Sequence, residues 1–258
     1  MSTVTLGILI VGGTVAVSLA VLPLARRVSR ERLGHSQDVV AVMFAAVSVL
    51  YTVLFAFLVV LVWEQFNGAQ ESTEQEAVKI SNLLRDANAF PSQERNKLQG
   101  RLITYTQSVI DDEWPTMAHG KSSPTTAKIY QHVWDGYYDY HPRTSEAQRF
   151  YDESITRLND LGQARRLRVI SSESSIPSIM WIMLVIGGVV TIAYLYLFAI
   201  SDAVLQGVMI ASVAGLLAFI LFLILSLDHP FAGQVKVAPD AYSDIVKSFH
   251  QGGYTRQH

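Results

Sequence analysis

The sequence predicts an all-α integral membrane protein with four transmembrane helices and a helical extramembrane bundle inserted between the second and the third. Half of the 258 residues are hydrophobic and only 16% are charged. The apolar residues form four uncharged runs of about 20 residues, the length that an α-helix needs to cross a hydrocarbon core about 30 Å thick. The segment between the two pairs of runs is polar, yet its apolar residues recur with helical spacing.

The first pair of spans is predicted at about residues 4–24 and 39–63, and the second pair at about 177–200 and 204–227. A cleaved signal peptide is the alternative for the first span, but basic residues follow that run instead of preceding it. Trp63 closes the second span where indole rings favour the membrane interface. The resulting domains are 1–63 (helices 1 and 2), 64–175 (bundle), 176–227 (helices 3 and 4) and 228–258 (a tail with a short amphipathic helix).

The polar segment is predicted to be helical along most of its length. No helix breaker follows the second span before Pro91, so that helix should continue out of the bilayer. Gly120 to Thr126 is the most loop-like stretch, and Thr144 or Ser145 should begin a long helix. Trp134 and the neighbouring tyrosines are interpreted as bundle core, with a carbohydrate or partner surface as the alternative. The terminal GGYTRQH is expected to be disordered.

Arginines give conflicting signals about the side of the membrane on which the bundle lies. Four of them occupy the short loop between the first two spans, which the positive-inside rule assigns to the cytoplasm. The bundle and both termini would then be extracytoplasmic. Three arginines before the third span favour the alternative, a cytoplasmic bundle. The loop arginines are Arg26, Arg27, Arg30 and Arg32, and the opposing ones are Arg165, Arg166 and Arg168.

The spans contain no charge in their central parts, which argues against a proton-coupled transporter. Asp228, at the predicted edge of the fourth span, is interpreted as a solvated boundary residue. The chain has no cysteine and no phosphate-binding or nucleophile motif, so we expect no enzyme activity and no cofactor. Asp111, Asp112 and Glu113 lack the spacing of a calcium loop, and no metal site is predicted. A net charge of -2 offers no basic excess for nucleic acid.

One face of the second span carries weakly polar side chains. Ser48 and Thr52 are four residues apart, and Phe55 and Val59 continue the same face. In an oligomer these four residues are candidates to line a pore with hydrophobic constrictions. The alternative is ordinary helix packing, in which small and hydroxyl residues allow close approach; the glycine pairs Gly12–Gly13 and Gly187–Gly188 are interpreted in the same way.

Four motifs occur in order along the chain: LVVLVWEQF at the exit of the second span, followed by an acidic helix; EWP; ARRLR; and LDHPFAG after the fourth span. Their order and spacing over nearly the whole chain resemble those of bacterial bestrophin-like integral membrane proteins. The residues that carry the resemblance are Glu64, Glu76, Glu113, Trp114, Pro115, Arg165, Arg168, Asp228, Pro230, Phe231 and Gly233.

The resemblance implies the architecture of the bestrophin anion channels, in which the second span lines a pentameric pore. It implies a multi-pass protein of the bacterial inner membrane whose partners are the lipid bilayer, further copies of the chain in a tetramer or pentamer, and inorganic ions. It also implies a cytosolic insert, contrary to the loop arginines. The alternative function is a non-conducting membrane scaffold or sensor whose bundle binds a partner or ligand.

Overall fold

The computed structural model describes residues 3–32, 37–233 and 235–254, and within these ranges it contains helices and no β-strand. A 3-10 turn (Ala87–Ala89) follows α2, and a π-helical turn (Val109–Glu113) joins α3 to α4. The helices are α1 (Thr3–Arg32), α2 (Gln37–Asp86), α3 (Ser92–Ser108), α4 (Trp114–Met117), α5 (Pro124–Tyr138), α6 (Ser145–Glu173), α7 (Ser178–Leu197), α8 (Ala203–Leu227) and α9 (Asp240–His250).

Four of these helices are long and apolar enough to cross a membrane, which confirms the predicted class of a four-span all-α membrane protein. The qualifying segments are Thr3–Arg27, Gln37–Ala89, Ser178–Leu197 and Ala203–Leu227. The second is far longer than a bilayer requires, because α2 runs without interruption through 50 residues. No proline or glycine pair interrupts it, as the sequence predicts.

The chain divides into two compact units. The membrane unit comprises the chain up to Glu64, Ser175–Asp228 and Gly233–Val235. The bundle unit comprises Gln65–Ser174, His229–Ala232 and the chain from Lys236 onward. The segment after the fourth span therefore contributes mainly to the bundle unit.

Within the membrane unit, α1 and α8 pack along each other, and α2 contacts α7 through a large side chain. Tyr51 of α2 lies against Gly187 and Gly188 of α7, so this glycine pair does permit a close helix contact. Gly12 and Gly13 differ, because no side chain among the described residues comes within 4 Å of a Cβ atom at either position. The close contact predicted for that pair is therefore absent from the described part of the protomer.

The α7–α8 loop of the membrane unit is held by three polar side chains. Arg26 Nη2 donates to the carbonyl oxygens of Ile200 and Ser201 at 3.3 and 2.9 Å. Gln37 Oε1 accepts from the Ala199 amide at 2.9 Å. Gln206 Nε2 donates to Phe198 O at 3.0 Å. These bonds use backbone groups that a loop at a membrane edge would otherwise leave unsatisfied.

The bundle unit has one continuous apolar core, formed by the outer half of α2, by α3, α5 and α6, and by the C-terminal segment. The helix starts follow the expected chemistry: Thr144 Oγ1 caps α6, as predicted, and accepts from the Ala147 amide at 3.1 Å. The stretch predicted as a loop is shorter than expected. Ser123 caps α5, which begins at Pro124.

The described part of the C-terminus is ordered, which corrects the expectation of disorder for Gly252 to Tyr254. Gly252 follows the C-cap of α9 with φ +79°, in the left-handed region that favours glycine. Tyr254 is buried: its hydroxyl pairs with Ser81 Oγ at 3.1 Å, and its carbonyl accepts from Asn88 Nδ2 at 2.7 Å. The remaining residues of that motif, 255–258, lie outside the described ranges.

Candidate functional site

Arg168 of α6 lies at the centre of a buried charge network in the bundle unit. Its side chain is fully buried, as are those of Glu76 and Glu113. Arg168 Nε donates to Glu76 Oε2 at 2.7 Å, and Nη2 donates to Glu113 Oε2 at 2.6 Å and to Glu76 Oε1 at 3.3 Å. Nη1 contacts the sulfur of Met117 at 3.0 Å. One guanidinium thus joins two carboxylates from different parts of the chain.

Two further polar side chains complete the network. Arg165 Nη2 donates to the second oxygen of Glu113 at 2.6 Å. The hydroxyl of Tyr105 donates to Glu76 Oε1 at 2.5 Å. Two carboxylates therefore face two guanidinium groups, and this balance of charge makes their burial tolerable.

Aromatic rings surround the two arginines. The Arg168 guanidinium lies 5.6 Å from the centre of the Trp114 ring and 5.8 Å from that of Tyr242. Arg165 lies 5.5 Å from the Tyr130 ring. These distances suit cation–π attraction, and the rings also exclude water. The C-terminal segment closes the cluster, because Phe231 packs on Trp114 and Val237 O accepts from its indole nitrogen at 3.2 Å.

Local helix geometry brings the charges together. Arg165 and Arg168 are three residues apart and share one face of α6. Glu76 lies on the bundle part of α2. Glu113 is the last residue of the π-helical turn, and Pro115 occupies the first turn of α4, where its missing amide hydrogen costs little.

The network changes the acidity of its members. Burial alone would lower the pKa of Arg168. The neighbouring Glu76, Tyr242, Tyr105 and Glu113 outweigh burial and raise this pKa well above its usual value. Burial raises the pKa of the Tyr105 and Tyr242 hydroxyls well above normal, and the charge of Glu76 adds to both shifts. These phenols stay protonated and Arg168 stays charged. The arrangement is suited to cross-linking helices in a fixed register and lacks a free acid or base.

The described residues contain no cluster of three metal-ligating side chains. Arg165 Nε is buried without a hydrogen-bond partner among the described residues. It is a single atom beside satisfied groups, so it does not form a ligand cage.

The structure brings most of the motif residues together but not all of them. Glu76, Glu113, Trp114, Arg165, Arg168 and Phe231 belong to the buried network or to its aromatic wall. Asp228, predicted as a solvated membrane-edge residue, is instead buried, and its Oδ1 accepts from the Ile176 amide at 2.7 Å. The remaining motif residues are Glu64, which is exposed; Pro115, also exposed; Pro230, whose carbonyl accepts from Val237 N; and Gly233, with φ +77°.

Tyr105 and Tyr242 were not singled out as site residues from the sequence. Both lie on apolar helix faces, and an apolar stripe does not tell which tyrosine hydroxyl meets a carboxylate. One signal for this site was present in the sequence. The motif residues include two glutamates (Glu76 and Glu113) and two arginines (Arg165 and Arg168) in a chain with few charges, and buried charges must be paired.

The four pore-lining candidates do not share one exposed face. Phe55 is only 4% exposed and meets Tyr51 edge to face, with ring centres 4.5 Å apart. The Ser48 hydroxyl is buried without a partner, Val59 is partly buried, and Thr52 is exposed. Val42, Val49, Val53 and Val60 form an exposed stripe on another side of α2, and Leu50 and Phe57 beside it are more exposed still.

Comparisons with known proteins agree with this architecture. The family model of the bestrophin-like domain matches residues 12–242. A mutant of a bacterial bestrophin homologue from Klebsiella pneumoniae superposes with a TM-score of 0.77 at 11% identity, covering 96% of this chain and 99% of that one. A second structure of that homologue gives 0.74 at 12% identity, with 95% and 98% covered. No curated protein matches the sequence significantly.

Four membrane helices and a helical insert between the second and third define a membrane protein of the bestrophin type. The chain belongs to the bestrophin-like family, because the family model spans most of its length. The sequence identity to the solved structures is low, so those structures show only that the fold is shared.

Proposed function

We propose that this protein is an oligomeric ion channel of the bestrophin type in which α2 lies near the pore. The observation that carries the proposal is the outward face of α2, which is apolar, free of charge through the membrane span and uncovered within the protomer. A pore with hydrophobic constrictions needs such a face. Membership of the bestrophin-like family supports the same assignment.

Ion flux through the purified protein tests the proposal. Liposomes that contain the full chain should conduct halide ions under a voltage gradient, and empty liposomes should not. If no ion flows at any voltage, salt or calcium concentration tested, the channel proposal fails.

The pore-facing side of α2 can be identified separately. We propose that the stripe Val42, Val49, Val53 and Val60 faces the axis, because it is uncovered in the protomer whereas Phe55 is covered. The competing assignment is the stripe predicted from the sequence, which consists of Ser48, Thr52, Phe55 and Val59. Of these four side chains Thr52 is the exposed one.

Cysteine substitution distinguishes the two stripes, since the natural chain contains no cysteine. We expect charged thiol reagents to block current through Val53→Cys and to leave Phe55→Cys unaffected. Block at Phe55→Cys or Thr52→Cys alone would favour the first assignment. Leu216→Cys on α8, whose side chain is 61% exposed, provides the lipid-facing control.

A second candidate function is a non-conducting sensor whose bundle binds a ligand. The observation that favours it is a pair of adjoining cavities of about 780 and 530 Å³ in the bundle unit. They share Asn88 and Thr144, and Asn88 Oδ1 is buried there without a partner. Failure of ion flux, together with ligand-dependent protection of Asn88 from hydrogen exchange, would support this function over the channel.

We propose that the bundle is extracytoplasmic and that the membrane is the bacterial inner membrane. The four loop arginines support this orientation. Arg165 and Arg168, which oppose it by sequence position, are paired with Glu113 and Glu76 and add little net positive charge. The bestrophin architecture supports the reverse orientation. Impermeant thiol labelling of Ser122→Cys, which is exposed beside the buried cap Ser123, and of Ser36→Cys in intact cells decides. Labelling at position 36 alone would place the bundle in the cytoplasm.

A further inference from the structure

We propose that α7 bends at Gly187 and Gly188 and that Tyr51 of α2 positions this bend. We call the contact of Tyr51 with the α7 segment from Leu184 to Thr191 the Tyr51 joint. This joint is then the place at which α2 and α7 move against each other. All of its residues belong to the membrane unit, so it can be tested without an assay of ion flow.

The ring of Tyr51 fits closely against the glycine pair. Tyr51 is only 6% exposed, and a Cβ atom at Gly187 would overlap its ring carbons. A Cβ atom at Gly188 would lie 3.0 Å from the Tyr51 hydroxyl oxygen. Any larger residue at position 187 must therefore displace the ring or α7 itself.

The hydroxyl of Tyr51 donates to the carbonyl oxygen of Leu184. In an α-helix that carbonyl is the acceptor for the amide of residue 188. A carbonyl can accept two hydrogen bonds, but the second donor competes with the first. Insertion of a side chain at this point of the backbone ladder is a recognised cause of helix bending.

Two further features weaken the same two turns of α7. Consecutive glycines have low helix propensity and permit a wider range of backbone angles. Thr191 Oγ1 donates to the carbonyl oxygen of Gly187 at 2.8 Å, and such bonds from a hydroxyl to its own helix often bend it. Three independent features thus coincide between Leu184 and Thr191.

Ser48 lies beside this contact. It is one turn before Tyr51 on α2, and its hydroxyl oxygen is buried without a hydrogen-bond partner among the described residues. A buried hydroxyl without a partner is unfavourable, so the conformation seen here does not satisfy every polar group near the glycine pair.

Spin-label distances test the bend directly, because the chain has no cysteine to remove. Labels at Ile179 and Ala193 lie on either side of the glycine pair in α7, and both positions are exposed. Labels at Leu205 and Phe219 have the same sequence separation in α8 and serve as the control pair. This stretch also has single glycines and a hydroxyl bond, from Ser212 Oγ to Val208 O at 2.8 Å, so the comparison isolates the glycine pair and the tyrosine against it. We expect a broader distance distribution for the α7 pair than for the α8 pair.

The Tyr51→Phe variant keeps the ring and removes the hydroxyl alone. It should narrow the α7 distribution and shift it toward the longer distance of a straight helix. Loss of packing would broaden the distribution instead. Thr191→Val should have the same direction of effect, and it provides the test if Tyr51→Phe does not fold.

Gly187→Ala and Gly12→Ala form a matched pair. The first should change the α7 distances, because the added methyl group collides with Tyr51, and the second should not, because its methyl group meets no atom. The proposal is overturned if the α7 distribution is as narrow as that of α8, or if both Tyr51→Phe and Thr191→Val leave it unchanged.

Discussion

Arg168 is the residue on which most contacts of the buried network converge, and its removal provides a direct measure of the network. In Arg168→Met a side chain of similar length loses the charge, so Glu76 keeps only Tyr105 and Glu113 keeps only Arg165. Removing one partner of a buried ion pair costs about 3–5 kcal/mol. We expect the free energy of unfolding, measured by denaturant titration of the full chain in detergent, to fall by about that amount.

Arg166 is the matched control for this substitution. It lies on the same helix and is exposed. Arg166→Met should change the free energy of unfolding by less than about 0.5 kcal/mol, as is usual for surface positions. Equal losses in the two variants would contradict a special role for the buried arginine.

Tyr105 should make the stability of the bundle sensitive to alkaline pH. Burial, with the charge of Glu76, raises its pKa well above the ordinary value of 10.0. The unfolded chain therefore releases the proton first, so this stabilisation is complete below pH 10 and declines as pH rises toward the folded-state pKa. Over this range the free energy of unfolding falls by about 1.4 kcal/mol for each pH unit because of this one group.

The Tyr105→Phe variant removes this titration. Its free energy of unfolding should fall less steeply than that of the natural chain above pH 10, with the slope smaller by about 1.4 kcal/mol per pH unit. At neutral pH it should be less stable by about 1–3 kcal/mol, because Glu76 loses a donor. Unfolding measured by near-ultraviolet circular dichroism across this range checks both, and parallel pH profiles would refute the assignment.

At the residue scale the family resemblance drew attention to the charged members of the network but not to their partners or to the network itself. Glu76, Glu113, Arg165 and Arg168 were identified through the family resemblance. Their hydrogen bonds to Tyr105 and their contacts with Met117 depend on how separate helices meet, which periodicity does not encode. Asp228 was misjudged for the same reason, since its partner, the Ile176 amide, lies on a distant segment.

At the scale of elements, the C-terminal segment is held on α2 by Tyr254. Its hydroxyl pairs with Ser81 of α2, and its carbonyl accepts from Asn88 in the 3-10 turn that follows that helix. Tyr254→Ala should lower the free energy of unfolding by about 1–3 kcal/mol through lost burial and two lost hydrogen bonds. It should also speed proteolysis after α9.

The exposed residue Tyr138 provides the control for the tail. Its side chain is 61% exposed, so Tyr138→Ala should leave proteolysis of the C-terminal segment unchanged. Tail cleavage at the same rate in Tyr254→Ala and in the natural chain would show that the contact contributes nothing to the order of the segment.

Long elements were predictable where their signals were continuous. The extension of α2 followed from an apolar stripe without a breaker, and Thr144 was recognisable as a cap. The start of α5 was missed although Ser123 and Pro124 are a typical cap and first residue, because the surrounding serines and threonines suggested a loop. The π-helical turn was not predictable, because such single turns are rare within α-helices and these residues are equally compatible with regular winding.

At the scale of the whole molecule, the uncovered apolar face of α2 leads us to expect self-association. Native mass spectrometry of the protein in detergent or nanodiscs should show a tetramer or a pentamer. Such an assembly would enclose the outward stripe of α2 around an axis. A protein that stays monomeric over the whole accessible concentration range would remove the basis for a shared pore.

The four-span class was predictable because the hydrophobic effect acts on whole segments, so the distribution of apolar residues alone reveals it. Which side of α2 is covered was not predictable. Apolar residues surround this span, so composition does not distinguish a face that packs on α7 from one that meets lipid, a second copy or an aqueous path.

The π-helical turn Val109–Glu113 has a consequence for how this region could have arisen and how it tolerates change. A π turn is an α-helix that has accepted one additional residue. Deleting one residue there would restore regular winding but rotate everything that follows by about 100° about the helix axis. Glu113 would then no longer meet Arg168. This stretch should therefore accept substitutions at its exposed positions and resist any change in length.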